Sequence, residues 1–279
     1  MRVHVEGIGL FGPGLNGWQA SRSVLSGATP YVAAPTVVPP SPLLPPNERR
    51  RTVQTVKLAL AVGAEAFAGA GRDPAEVATV FTSSGGDGET IHQILDVLAT
   101  NEPELSPTRF HNSVHNAPAG YWSIANRSHA PSSSLCCYDS SFAAGLIEAA
   151  VQATTDGEPV ALFAYDVCAP EPLNTPRPIG ANFAAALILT PQPTAATLAV
   201  LEVEVRPRST ATTMADVALE ALRQGTPAAR SLPLLAALAR KAAADIALDF
   251  VSALEIGLRV TPFVAGSGVP AGDQAAVRP

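Results

Sequence analysis

Two short runs of this sequence are apolar at almost every position: PVALFAYDV at 159–167 and FAAALILT at 183–190. Both have the length of a strand, and a strand with no polar alternation is typical of one that is fully buried. Strand-like and helix-like patterns alternate over most of the remaining chain. This alternation predicts an α/β fold in which helices cover a sheet in layers.

The other predicted elements are separated by loops rich in proline. Residues 30–46 carry seven prolines, too many for a regular element, and 170–178 forms a second loop of this kind. A polar stretch at 107–126 becomes helical near Ala117. Further strands are expected at 2–11, 77–84, 198–205 and 253–260, and helices at 18–25, 52–70, 89–100, 141–155, 213–224 and 232–247.

The composition excludes several functional classes. Only 15% of the residues are charged and 47% are hydrophobic, which favours a subunit that buries part of its surface against a partner. A net charge of −6 without a dense basic stripe argues against a nucleic-acid partner. No apolar run is long enough to span a bilayer. Three cysteines, two of them adjacent, are typical of a reducing cytoplasm, where we expect the protein to reside.

The stretch SSSLCCYDSSFAAGLIEAA at 132–150 runs from serines through two cysteines into an apolar helix. This pattern is typical of the approach to a nucleophile at a helix N-terminus, where the helix dipole stabilises a thiolate. The same residues also have an ordinary structural interpretation. Asp139 or Ser140 can cap the following helix, and Cys136 and Cys137 can be small core residues.

The order of six segments resembles the N-terminal half of a β-ketoacyl synthase of the thiolase superfamily. The segments are VEGIGLFGPGLNGWQASRSVLSGATP, TVQTVKLALAVGAEAF, VATVFTSSGGDGETI, FHNSVHNAPAGYWSIANRSHAP, EAAVQATTDGEPVALFA and NFAAALILTP. The resemblance covers residues 1–205 and implies a thiolase-like layered α/β fold. It also implies that 206–265 is an abridged C-terminal region, and we expect 266–279 to be a flexible tail.

The resemblance implies a cysteine nucleophile where a strand meets a buried helix. Counting from the flanking matches places that position at Asp139 or Ser140, and neither residue is cysteine. Cys137 precedes the position and is a weak candidate. The resemblance further implies two catalytic groups, usually histidines, in the C-terminal half, whereas no histidine follows His129. We therefore expect no catalytic residue that would allow this chain to run a condensation alone.

The segment before this junction carries aromatic residues and histidines. His111 and His115 have the i, i+4 spacing of a metal-binding pair, but a third ligand is missing, so we expect interface histidines and no metal. The resemblance places the segment at a dimer contact. It implies that Phe110 helps to close the partner's acyl pocket, although Phe110 can also be a buried aromatic at a loop turn. Tyr121 and Trp122 are expected to contribute to the pocket or the interface.

These features imply a chain length factor, which most resembles the small synthase-like subunit of aryl polyene biosynthesis. Such a subunit forms a heterodimer with an active ketosynthase and shapes its acyl tunnel in type II polyketide synthesis. It would meet the acyl carrier protein through that complex, and we expect no cofactor. Two alternatives remain open: an acyltransferase or thioesterase-type enzyme that uses Ser140 or Cys137, and a purely structural pseudoenzyme that stabilises a synthase.

Overall fold

A computed structural model describes residues 1–41, 43–101 and 104–264 of the chain. Within these residues, one mixed sheet runs in the order β4-β3-β5-β6-β1-β7-β9-β8, and β2 pairs with β1. Strands β4, β3 and β5 are parallel to one another, and the other pairings are antiparallel. The strands are β1 (Arg2–Gly12), β2 (Leu15–Asn16), β3 (Ala78–Thr82), β4 (Ser132–Leu135), β5 (Val160–Asp166), β6 (Phe183–Thr190), β7 (Ala199–Pro207), β8 (Ala244–Asp249) and β9 (Leu254–Pro262).

Helices cover both faces of this sheet. They are α1 (Trp18–Leu25), α2 (Pro46–Arg51), α3 (Gln54–Ala70), α4 (Gly88–Leu98), α5 (Pro107–Asn112), α6 (Ala117–Asn126), α7 (Ser141–Asp156), α8 (Val217–Gly225) and α9 (Leu232–Arg240). Two 3₁₀ turns, Tyr138–Ser140 and Pro227–Ser231, complete the described elements.

The two predicted buried strands lie in the middle of the sheet. Successive residues of β5 and β6 alternate between two cores, one formed with α3 and α6 and the other with α1, α7 and α9. Gly9 of β1 allows α3 to approach closely, because a Cβ there would lie 2.0 Å from the Val62 carbonyl oxygen. The layered α/β architecture predicted from the apolar strands is therefore confirmed.

One predicted helix is wrong over its second half. The helix expected at 232–247 ends at Arg240, because Lys241 adopts a left-handed conformation with φ 52°. The following residues form β8, which pairs antiparallel with β9. An alanine-rich run favours helix locally, but β9 offers a complete set of backbone hydrogen bonds that only the tertiary fold supplies.

The predicted region boundary after residue 205 falls inside β7. This strand pairs with β1 from the first region and with β9 from the second, so both regions share one sheet. The division into a synthase-like region and an abridged region remains a prediction. The tail predicted at 266–279 lies outside the described residues.

Candidate functional site: the turn between β4 and α7

Residues 136–141, which we call the elbow, connect the end of β4 to the start of α7. Tyr138 has a φ of 53°, the left-handed region that a non-glycine residue adopts only at a cost. The Ser141 hydroxyl stabilises the turn: it donates to the Tyr138 carbonyl at 2.7 Å and accepts from the Cys137 N–H at 3.1 Å. The sharp strand-to-helix turn expected from the sequence is present.

Ser140 lies at the N-cap position of α7, but its side chain does not cap the helix. Its hydroxyl instead donates to the Phe250 carbonyl oxygen at 2.7 Å, and the residue is only 8% exposed. The expected capping hydrogen bond is therefore wrong. The hairpin between β8 and β9 brings Phe250 to the elbow, where its carbonyl oxygen accepts the hydrogen bond from the Ser140 hydroxyl.

Asp139 makes ion pairs instead of capping the helix. Its Oδ1 accepts from Arg177 Nη2 at 2.7 Å, and its Oδ2 lies 3.2 Å from Arg230 Nη2. The Arg177 guanidinium also lies over the Tyr138 ring, 3.5 Å from the ring centroid, in a cation–π contact. Sequence reasoning missed both arginines, which are 38 and 91 residues from Asp139 in the chain.

The two adjacent cysteines are not core residues, contrary to the structural interpretation of the sequence. β4 ends at Leu135, so Cys136 and Cys137 lie in the turn; the first is exposed and the second half-buried. The Cys136 thiol lies 3.2 Å from the Ser84 carbonyl oxygen, to which it donates a hydrogen bond. The predicted burial fails because β4 is a short edge strand that stops before them.

A cluster of the buried residues Asp166 and Ser83 and the half-buried Ser84, which we call the serine–aspartate cluster, lies at the carboxyl ends of β3 and β5. Asp166 Oδ1 accepts from the Ser84 N–H at 2.8 Å, from its hydroxyl at 2.7 Å and from the Ser83 hydroxyl at 3.3 Å. Oδ2 accepts from the Ala228 N–H at 2.7 Å. Burial raises the pKa of Asp166 above its ordinary value, and these hydrogen bonds oppose the shift. The sequence offered one sign of this cluster: Asp166 is an acidic residue at the end of an otherwise apolar strand.

His111 and His115 do not share a helix. His111 lies in α5 with its ring edge-on to Tyr121, whereas His115 follows the helix and its Nε2 lies 3.2 Å from the Ser83 carbonyl oxygen. The i, i+4 spacing noted in the sequence therefore does not place the two side chains on one helical face, since α5 ends at Asn112. Within the described ranges, no group of three His, Cys, Asp or Glu side chains could hold a metal ion.

The aromatic residues of the predicted interface segment separate into two groups. Phe110 is 62% exposed, so it is not the buried aromatic that the alternative interpretation required. Trp122 is 1% exposed and packs against Phe67 and Phe163, and Tyr121 is buried with its hydroxyl donating to Asn112. Tyr121 and Trp122 are therefore packed in the core of this chain, and their expected contribution to the pocket or the interface stays a prediction.

Phe110 belongs to a larger apolar area. Exposed side chains at i, i+4 and i+7 give α4 an apolar stripe, and α4 contacts α5. We call this area the α4–α5 surface; it comprises Ile91, Leu95, Leu98, Phe110 and Val114. An exposed apolar group of this kind is typical of an interaction site. Across the described part of the chain, no helix is long and apolar enough to cross a membrane.

Comparisons with known proteins agree with this fold. The model of the family described as "Beta-ketoacyl synthase, N-terminal domain" matches residues 18–247. None of the curated proteins compared with this chain matches it.

Three solved assemblies contain a chain of similar fold. One is the ketosynthase ApeO in complex with its chain length factor ApeC from Xenorhabdus doucetiae, with 22% identity and a TM-score of 0.71 over 93% of this chain and 99% of that chain. The second is the ishigamide ketosynthase/chain length factor, with 13% identity and a TM-score of 0.72 over 95% and 100%. The third is a type II PKS acyl-carrier protein in complex with its ketosynthase bound to the hexaketide (AntDE:AntF), with 12% identity and a TM-score of 0.74 over 94% and 99%. At these identities the likeness concerns the fold.

Proposed function

We propose that this chain, which belongs to the β-ketoacyl synthase N-terminal domain family, is a chain length factor. In this proposal it forms a heterodimer with an active ketosynthase and shapes the tunnel in which the partner's acyl chain grows. The partner supplies the catalytic cysteine and histidines and meets the acyl carrier protein. This chain supplies part of the pocket wall and stabilises the dimer.

The elbow is the observation that carries the proposal. The resemblance to the synthases implies a nucleophilic cysteine in this turn. The residues found there are Tyr138, Asp139 and Ser140. The Asp139 carboxylate is paired with two arginines and the Ser140 hydroxyl is bonded to a carbonyl. These groups hold the fold together, which supports a subunit that leaves the chemistry to its partner.

The distribution of histidines supports the same proposal. Decarboxylative condensation needs groups that drive the loss of CO₂ and polarise the thioester. None of the five histidines lies after residue 129. The described C-terminal region, β7 to β9 with α8 and α9, therefore contributes structure and no histidine.

The α4–α5 surface supports a protein partner. Large exposed apolar side chains stabilise a complex when a partner removes them from water, and aromatic residues often dominate interface energies. Phe110 is an aromatic residue within this surface and is positioned to contact a partner. We propose that it helps to close the partner's acyl pocket.

The three similar solved chains support the choice of partner. This chain aligns with 99% or more of each of them, so they are of similar length, and two of the three assemblies are described as containing a ketosynthase with its chain length factor. The resemblance to the small synthase-like subunit of aryl polyene biosynthesis supports aryl polyene synthesis as the pathway in which this chain acts. A cytoplasmic location remains part of the proposal.

No contact among the residues that the structure describes favours an acyltransferase or thioesterase that uses Ser140 or Cys137. The Ser140 hydroxyl donates to Phe250, and the hydrogen bonds among the described residues do not join His111 or His115 to Ser140 or Cys137. A purely structural pseudoenzyme differs from a chain length factor only in its effect on product length. The experiment below therefore measures product length directly.

The test is co-expression with a ketosynthase encoded beside this chain, followed by size-exclusion chromatography and extension assays with acyl carrier protein. We expect a heterodimer, no turnover by this chain alone, and a product distribution that Phe110→Ala lengthens or broadens while the dimer stays intact. Val217→Ala is the matched control, since Val217 is 85% exposed on α8. A monomeric chain beside its ketosynthase would contradict the heterodimer. Unchanged products from the Phe110 variant would leave only the purely structural role.

A further inference from the structure

We propose that Arg177 and Arg230 form a carboxylate-binding site at the elbow, and that Asp139 is the ligand that fills it. The site is made by three segments that are distant in the chain. Arg177 comes from the loop after β5, Arg230 from the 3₁₀ turn before α9, and Asp139 from the elbow itself. The proposal concerns contacts within this chain and does not depend on the chain length factor role.

The geometry is that of a planar carboxylate bridging two guanidinium groups. Each Asp139 oxygen faces a different arginine, Oδ1 with Arg177 at 2.7 Å and Oδ2 with Arg230 at 3.2 Å. Hydrogen bonds between charged groups are stronger than neutral ones. The Tyr138 ring holds the Arg177 guanidinium in place from one face, at 3.5 Å from its centroid. The two arginines are thus positioned to hold a carboxylate between them.

The charges at the site leave a positive excess. Two guanidinium groups face one carboxylate, and no other acidic side chain of the described residues pairs with Arg177 or Arg230. Both arginines and Asp139 are partly exposed, with side-chain exposures of 29%, 21% and 38%. A small anion from solvent can therefore reach the guanidinium groups once the Asp139 carboxylate is removed.

This site holds the backbone of the elbow in its sharp turn. Tyr138 adopts a left-handed backbone conformation that is unfavourable for a residue with a Cβ. Asp139, which directly follows Tyr138, is held by its two ion pairs, and Ser140 is held by its hydrogen bond to the Phe250 carbonyl. Asp139 therefore acts as a positioning residue that holds the turn against the loop after β5 and the 3₁₀ turn before α9.

The experiment is chemical rescue of Asp139→Ala by small carboxylates. Melting temperatures are measured in sodium chloride and in sodium acetate or formate at equal ionic strength. We expect the variant to melt several degrees below the wild type in chloride, and acetate to restore most of the difference with a saturable dependence on concentration. Inorganic phosphate is a separate arm, which tests whether a tetrahedral anion also fits.

Asp249→Ala is the matched control, because Asp249 pairs with the single arginine Arg208 at 2.6 Å. We expect no saturable acetate rescue of that variant, and none of Asp139→Ala combined with Arg230→Ala. Equal rescue of all three variants would overturn the proposal, since it would indicate a general salt effect. A failure of acetate and formate to rescue Asp139→Ala would also overturn it.

Asp139→Asn keeps the test decisive if the alanine variant does not fold. The amide keeps the shape of the side chain but removes its charge, so we expect a smaller fall in melting temperature than for alanine. A melting temperature equal to that of the wild type would contradict a site that requires a carboxylate.

Discussion

The elbow and the α4–α5 surface show opposite uses of side chains. At the elbow, the polar groups of Asp139, Ser140 and Ser141 bond within the chain. On the α4–α5 surface, large apolar side chains such as Leu95 and Phe110 remain exposed. The polar side chains of the elbow therefore stabilise this chain's own fold, whereas the exposed apolar side chains of the α4–α5 surface are available to contact a partner. Three predictions test this contrast, beginning with the largest expected effect.

The serine–aspartate cluster beside the elbow should contribute most to stability. Asp166→Ala removes the acceptor of four hydrogen bonds and leaves the buried N–H of Ala228 and the partly buried N–H of Ser84 without this acceptor. We expect a loss of about 3 kcal/mol in the free energy of unfolding, measured by urea denaturation. Asp156→Ala at the exposed end of α7 is the control. Equal losses from the two variants would mean that the cluster is not a stabilising centre.

The α4–α5 surface should behave in the opposite way. Leu95 is about half exposed, so Leu95→Asp should change the stability of the free chain by less than about 0.5 kcal/mol. It should raise the Kd for the proposed ketosynthase partner about tenfold, which is about 1.4 kcal/mol. Calorimetric titration measures this change, with Val217→Asp on α8 as the control. An unchanged Kd would remove this surface from the proposed interface.

A carboxylate with only local partners should have the smallest effect. Glu220 of α8 bonds Arg223 one helical turn away, and this hydrogen bonding lowers the pKa of Glu220 to about 2. A carboxyl group with a lowered pKa stabilises the folded state above its unfolded pKa and loses that contribution as the pH falls through the folded value. Glu220→Gln should therefore cost about 0.5–1 kcal/mol near neutral pH, because the amide loses the charge of an ion pair between neighbouring turns of one helix.

The pH dependence of the unfolding free energy of Glu220→Gln tests this prediction. The difference in unfolding free energy between the wild type and Glu220→Gln should disappear as the pH falls from about 4.5 to about 2. Urea denaturation at several pH values measures it. A difference that stays constant over this range would show that the carboxylate charge is not the cause.

Much of the fold could be predicted from local patterns. The helix expected at 18–25 and the strand expected at 183–190 have those bounds in the structure. The thiolase-like synthase fold implied by the resemblance is confirmed by the family match over residues 18–247. These predictions succeeded because the period of the apolar residues reports which faces of an element are buried. The strand β8 was missed because an alanine-rich segment carries no such signal.

The candidate site was only partly predictable. The sequence located the turn after the two cysteines and the absence of cysteine at Asp139 and Ser140, because residue identity and order along the chain are sufficient for both. It suggested a cap at Ser140, which is wrong. It also suggested a pocket or interface role for Trp122, which stays a prediction, and the structure buries that side chain in the core. Each depends on what lies opposite the side chain, which is the carbonyl of Phe250 in one case and the ring of Phe163 in the other.

Local sequence patterns were therefore sufficient for the layers of the fold, for most of its elements and for the residue types at the elbow. Three features depend on long-range packing: Arg177 and Arg230 meet at Asp139, Asp166 accepts hydrogen bonds from Ser84 and Ala228, and Phe110 is exposed while Trp122 is buried. The physical reason is that periodicity and propensity act over a few neighbouring residues. Ion pairs, buried hydrogen bonds and side-chain exposure depend on segments that become neighbours only when the sheet has assembled.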